Sequence, residues 1–231
     1  MLIRLCSDVE VDGITVTADQ RMINNDGIDI DGCRHVRVRN SNFKTGDDCL
    51  ILRAMNESFD EQVICEDIIC EDCILDSRCQ AVRLGCPSDD TIRSAIFRNI
   101  QAIGNNGIFA DYPVRYLDPG DEGRMDISDI TFDNFNGSFS GSALQIVSQP
   151  GVKCRRIDGF VFRNCSLQSA RPLRFIGNEG YEIGSVLLEN LSVEVASEDT
   201  PVKVKGCNGL VFKGVTINGH PAPDGPVPAD R

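Results

Sequence analysis

Eight segments of this 231-residue chain share one pattern, and repetition at that period admits few architectures. They read "VEVDGITV" from Val9, "VRVRNSNF" from Val36, "IICEDCIL" from Ile68, "AIFRNIQA" from Ala95, "ITFDNFNG" from Ile130, "FVFRNCSL" from Phe160, "VLLENLSV" from Val186 and "LVFKGVTI" from Leu210. Each alternates apolar positions, carries a polar residue, then Asn, Asp or Gly, and alternates again. The fifth position runs Gly13, Asn40, Asp72, Asn99, Asn134, Asn164, Asn190 and Gly214, in steps of 27, 32, 27, 35, 30, 26 and 24 residues.

Asn and Gly accept positive φ at least cost, so each fifth position reads as a sharp bend between two short strands. Asparagines stacked once per coil can hydrogen-bond along the stack. A further alternating run follows, as in "GIDIDG", "CLILRA", "AVRLGC" and "ALQIVS". Three short strands per turn at a near-constant repeat describe an all-β fold, a right-handed parallel β-helix of about eight coils rising about 4.8 Å each. A leucine-rich horseshoe has a different consensus and a shorter period, and propeller blades need longer repeats of antiparallel strands. One domain is expected over residues 1–217, followed over 218–231 by a Pro-rich tail, "NGHPAPDGPVPADR", whose prolines stop further strand addition. The first coil starts almost at residue 1 with no amphipathic helix over its open edge. N-terminal coils are therefore expected to be missing, and the edge could pair with another chain to form oligomers.

Lys+Arg 23 against Asp+Glu 35 gives a net charge of -12, which repels nucleic-acid phosphates and anionic membrane surfaces, so neither is an expected partner. A polyanion would need a local basic patch. No run approaches the roughly 18 apolar residues of a membrane span, and "MLIRLCSDVEVDG" lacks the regions of a signal peptide. The eleven cysteines are an odd set, and Cys65, Cys70, Cys73, Cys79 and Cys86 lie in or beside strand-like runs, so most read as reduced core thiols. Cys70 and Cys73 form one C-x-x-C with no second pair, and His35 and His220 are far away in sequence. No metal or other cofactor is expected.

Aligning the coils sets Asp26 of "DGIDI" above Asp48 of "DCLIL", with Gln80 of "QAVRL" and Asn106 of "NGIFA" next in the stack. Asp47 projects from beside Asp48 in another direction across the same groove. Like charges about one strand spacing apart raise one another's pKa, which costs stability unless a shared proton or water is put to use. Glycosidic hydrolysis needs a protonated acid and a carboxylate that activates water, and three acids can supply both. Two other readings stay open. Asp is common at strand starts because it hydrogen-bonds its own backbone, and stacked acids on a β-helix also hold calcium.

The motifs "NNDGIDI" and "TGDDCLIL" resemble the N-T-D-G-I-D-I and S-T-G-D-D-C-I-A-I of the polygalacturonase family of glycoside hydrolases, family 28. The resemblance implies a right-handed β-helix and inverting hydrolysis of a carbohydrate. It makes Asp47 the general acid, Asp26 and Asp48 the pair that activates water, and Asn24 a residue that orients a carboxylate or contacts sugar. Other family motifs are absent. Gln80 stands at the histidine of G-H-G, and in "GIFAD" Phe109 and Asp111 stand at the arginine and lysine of R-I-K. Those cations grip the uronate carboxylate, so the substrate is expected to be other than unmodified galacturonan. Replacement sugar contacts are expected from Gln80, Arg83, Asn106, and, in the insertion "DYPVRYLDPGDEGRMD", Tyr112 and Arg115. A non-catalytic carbohydrate-binding or structural β-helix, or a calcium-dependent lyase or epimerase, is the alternative.

Overall fold

A computed structural model describes residues 1–56, 62–117, 122–196 and 200–229. The chain winds as a parallel β-helix with three sides. On the first side lie Ser7–Asp12, Arg34–Arg39, Ile64–Glu71, the openings of Thr91–Asp111 and Asp126–Ser142, then Arg156–Arg163, Ile183–Glu189 and Cys207–Lys213. Their register stacks Val9, Val36, Ile68, Ala95, Ile130, Phe160, Val186 and Leu210 in one inward column, so the eight repeats are eight coils. Successive parallel strands of this kind are joined right-handedly. The third side, which carries the site described below, begins with Leu2–Arg4, Ile28–Asp31 and Leu50–Arg53 and ends with Leu144–Val147, Leu173–Ile176 and Val202–Lys205.

The bend column forms as the sequence requires: all eight fifth positions have φ between 50° and 67°. Its hydrogen-bonded ladder is partial. Asn99 Nδ2 donates to Asp72, Asn134 Nδ2 to Asn99, and Asn190 Nδ2 to Asn164, whereas Asn164 donates to Asp133 instead of Asn134. A second left-handed column stands at the opposite end of the first side, at Asp8, His35, Asp67, Ser94, Asp129 and Gly159. Inside, Phe132 stacks between Phe97 at 4.7 Å and Phe162 at 5.0 Å, a geometry that in-register coils impose on aromatic columns.

Just before each bend, the outward residue of the first side follows a rule of its own. Asp12, Arg39, Glu71, Arg98, Asp133, Arg163, Glu189 and Lys213 lie one above another and alternate in sign at every rung. Ion pairs form between Arg39 and Asp12 (3.1 Å), Arg98 and Glu71, Arg163 and Asp133 (2.9 Å), and Lys213 and Glu189. At about 4.8 Å per rung, unlike charges favour this register and like charges oppose it.

All eleven cysteines are free, and most are buried. No helix among the described residues is long and apolar enough to cross a membrane. The Pro-rich tail is not a separate segment. It doubles back antiparallel, pairing Pro221 with Thr216 and Pro226 with Val211, and lays Ala222, Val227 and Ala229 on the core. Proline ends parallel addition but still accepts hydrogen bonds at an antiparallel edge.

Arg98→Glu, which sets three acids on consecutive rungs, should cost about 1–2 kcal/mol of stability, and Arg98→Gln less than about 1 kcal/mol. Urea denaturation measures both, and about 1 M salt should narrow the difference.

Candidate active site

Asp26 and Asp48 precede equivalent strands of the third side, Ile28–Asp31 and Leu50–Arg53, which pair in register. The turn between them is tight. A Cβ on Gly27 would run into the Cys49 carbonyl oxygen, and one on Gly46 into the Met22 carbonyl oxygen. The stack expected from the alignment is present, and it has a backbone cause. Asp26 Oδ1 accepts the Asp48 N–H (3.2 Å), Asp48 Oδ1 accepts the Gln80 N–H (2.8 Å), and Asn106 Oδ1 accepts the Ser142 N–H (3.1 Å). At this edge a side-chain oxygen from one coil thus caps the first amide of the next.

Asp47 is held differently. Its Oδ2 accepts the Asn24 N–H (3.0 Å) and its Oδ1 the Asp48 N–H (3.1 Å), while its carbonyl accepts from Thr45 Oγ1 (2.6 Å) and Ser77 Oγ (2.8 Å). Asn24 therefore acts through its backbone. Asn25, which the sequence reading passed over, takes the orienting role: its Oδ1 accepts the N–H groups of Gly46 (2.7 Å) and Asp47 (3.0 Å), and its Nδ2 donates to the Asp19 carbonyl (2.8 Å). The Cys79 thiol also sits against Asp47 and Asp48, with donor atoms of all three within 4.8 Å of one another. A thiol in that set suits a soft metal and not calcium.

Burial pushes the Asp48 carboxyl up to about 7; the Asp47 charge adds to the rise, and the Arg83 charge and the Gln80 N–H hold it back. Asp26 is raised as well, by burial first and then by the Asp47 charge. Asp48 therefore exchanges a proton near neutrality.

A buried polar chain runs from Asp48 away from the groove. Gln80, with its amide nitrogen toward Asp48, presents its oxygen to Arg83 Nη1 at 3.3 Å. Arg83 and Gln80 meet because the coil turns between Ser77, stacked on Thr45, and Val82, stacked on Leu50. Arg83 Nη2 lies 2.9 Å from Asp111 Oδ1, and Gln149 Nε2 donates to Asp111 Oδ2 (3.1 Å). The ion pair is not aligned as a hydrogen bond, and Arg83 Nε and Asp111 Oδ1 have no hydrogen-bond partner.

These contacts correct several expectations. Arg83 is 5 % exposed and neutralised by Asp111, and Gln80 is buried beside it, so both are engaged with protein groups instead of standing open to solvent. Tyr112, 1 % exposed, belongs to the core because the insertion folds it inward. Arg115 stays exposed over the Tyr116 ring, 4.7 Å from its centroid. Asn106 is half-buried in the stack, and Asp26 and Asp47 are half-exposed.

The sequence model of glycosyl hydrolases family 28 matches residues 1–72, the stretch that holds both acidic motifs. No curated protein matches the chain. Among solved structures, a hyperthermoactive exopolygalacturonase from Thermotoga maritima superposes with a TM-score of 0.79 at 16% identity, over 98% of this chain and 52% of that one. The chain thus spans about half the length of that enzyme, shares its β-helix, and is similar to family 28 as a divergent relative.

The folded value of Asp48 lies above its unfolded value of about 3.9, so its contribution to stability is full below about pH 4 and is lost as pH rises through about 7. Asp48→Asn keeps an acceptor for the Gln80 N–H and should raise stability by up to about 4 kcal/mol at about pH 8 and little at about pH 4, measured by thermal unfolding. Arg83→Met strands Asp111 and should cost about 3–5 kcal/mol, while adding Asp111→Leu should restore most of it.

Proposed function

We propose that this protein is a glycoside hydrolase that cleaves O-glycosidic bonds of a polysaccharide or oligosaccharide with inversion, on a substrate other than unmodified galacturonan. One observation carries the reading: Asp26 stacks on Asp48 with Asp47 beside them, whereas the ladder on the first side alternates its charges at every rung. Asp47, half-exposed beside the groove, gives its proton to the leaving oxygen. Asp26 and Asp48 take the proton of a water that attacks the anomeric carbon from the opposite face. Asp48 must be ionised for this, so kcat/KM should climb as pH passes through about 7.

The cations nearest the acids support the departure from galacturonan. Arg53 is paired with Asp29 and Arg83 with Asp111, and Phe109 and Asp111 occupy the places of the uronate-binding pair. A uronate bound at Arg53 or Arg83 would have to displace an existing carboxylate. The second reading, a non-catalytic binding or structural module, draws on the capping bonds that give Asp26 and Asp48 a purely structural use.

Hydrolysis over a panel of neutral and acidic glycans separates the two. On a cleaved glycan, Asp47→Asn should slow turnover on the order of a hundredfold or more, with less effect on an activated aryl glycoside. Asp26→Asn and Asp48→Asn should slow both substrates alike, and combined changes should cost less than the product of the single ones. Wild-type rates in all three variants would reduce the acids to turn residues.

A further inference from the structure

Across the described strands, wherever the register sets two charged residues directly over each other, the signs are opposite, with one exception. The exception is Arg174 over Lys203, on the third side. Lys205 lies two residues on along the same strand and therefore points the same way, and all three side chains are exposed. Arg174 Nη1 donates to Gln145 Oε1 (2.7 Å), and no carboxylate among the described residues forms an ion pair with the three cations.

The place of this exception is informative. Outward positions of the third side run Asp29, Ile51, Arg83, Phe109, Gln145, Arg174 and Lys203 in one column. Asp26 and Asp48 border that same face. Arg174 stands four rungs and Lys203 five rungs from the strand that follows Asp48, about 19 and 24 Å at about 4.8 Å per rung. Three like charges without an ion pair among the described residues repel one another in the free protein, and an arriving anion relieves that repulsion.

We infer that Arg174, Lys203 and Lys205 form a remote subsite for acidic groups of a glycan, carboxylate or sulfate, whose segment over Asp26, Asp47 and Asp48 is neutral. The inference rests on the hydrolase reading for the kind of polymer and on the register for the charge pattern. A uniform polyuronide fits poorly, since its carboxylates would also lie over the acids and over the neutralised Arg83. A chain with acidic groups four to five rungs from the bond that is cut meets cations at one end and no like charge at the other.

Binding by titration calorimetry tests this with a neutral galactan, the same backbone carrying sulfate esters, one carrying uronate side groups, and a short single-stranded RNA. The acidic glycans should bind at least tenfold tighter than the neutral one and weaken with salt. Arg174→Gln and the double variant Lys203→Ala/Lys205→Ala should each lose at least tenfold, and Lys44→Ala, on another side, should lose nothing. Sulfate and uronate arms tell the two acid chemistries apart. Unchanged binding in the variants, equal binding of the neutral glycan, or RNA bound as tightly as the acidic glycans would overturn the subsite. Charge-dependent binding without cleavage of any glycan would sink the hydrolase reading alone. Cleavage with KM unaltered by the variants would sink the subsite alone.

Discussion

Everything in this molecule depends on one constraint, the parallel, in-register hydrogen bonding of each coil to the next. It sets each strand residue about 4.8 Å above a counterpart in the neighbouring coil. Aromatic rings then meet face to face, as Phe97, Phe132 and Phe162 do. Left-handed bends recur in columns, and the column from Gly13 to Gly214 is made of Asn, Asp and Gly alone. Charges come to lie on charges, so sign must alternate or the coil is strained by its neighbour. The first side obeys this over its whole length, from Asp12 to Lys213.

Two places disobey, Asp26 over Asp48 and Arg174 over Lys203, and both are on the third side. At the first, the strain is partly relieved by structure. One oxygen of each carboxylate accepts a backbone N–H of the following coil, and Asp48 remains protonated up to about pH 7. The cost of burying that carboxyl is thus tied to the same proton exchange that water activation would need under the proposed hydrolysis. Arg83 sits behind it as a counterweight. Its charge lowers Asp48 through Gln80's neighbourhood while Asp111 keeps the guanidinium from standing unpaired in the interior.

The fold was legible because its signal repeats: eight bends and their apolar flanks could be superposed, and the same superposition put Asp26, Asp48, Gln80 and Asn106 in one stack. The charge ladder was equally written in the sequence, at the residue before each bend, but it shows only when sign is followed from coil to coil instead of polarity within one. The second left-handed column was hidden by its composition, since its aspartates at Asp8, Asp67 and Asp129 are interrupted by His35, Ser94 and Gly159. The burial of Tyr112 and Arg83 is not legible in the sequence for another reason. Tyr112 lies in an insertion that has no counterpart in other coils, and Arg83 depends on Asp111, two departures that were noted separately and whose pairing only a register could join.

That pairing changes the meaning of the lost cations. With Asp111 beside it, Arg83 is neutralised as Arg53 is by Asp29, and cations stacked on one another without an ion pair among the described residues stand at the far end of the same column. The third side therefore carries a gradient, acids and neutralised pairs toward the N-terminal coils and net positive charge toward the C-terminal ones. A gradient of this kind acts before any contact forms. On the subsite proposed above, it would draw the acidic part of a polymer to the cations and leave the acid cluster for the part that carries no charge, giving a bound chain a direction as well as a place. Neutral stretches alone would be held weakly, and uniformly acidic ones would be held out of register with the bond to be cut. Selectivity would then come from repulsion near Asp26, Asp47 and Asp48 as much as from attraction at Arg174, Lys203 and Lys205.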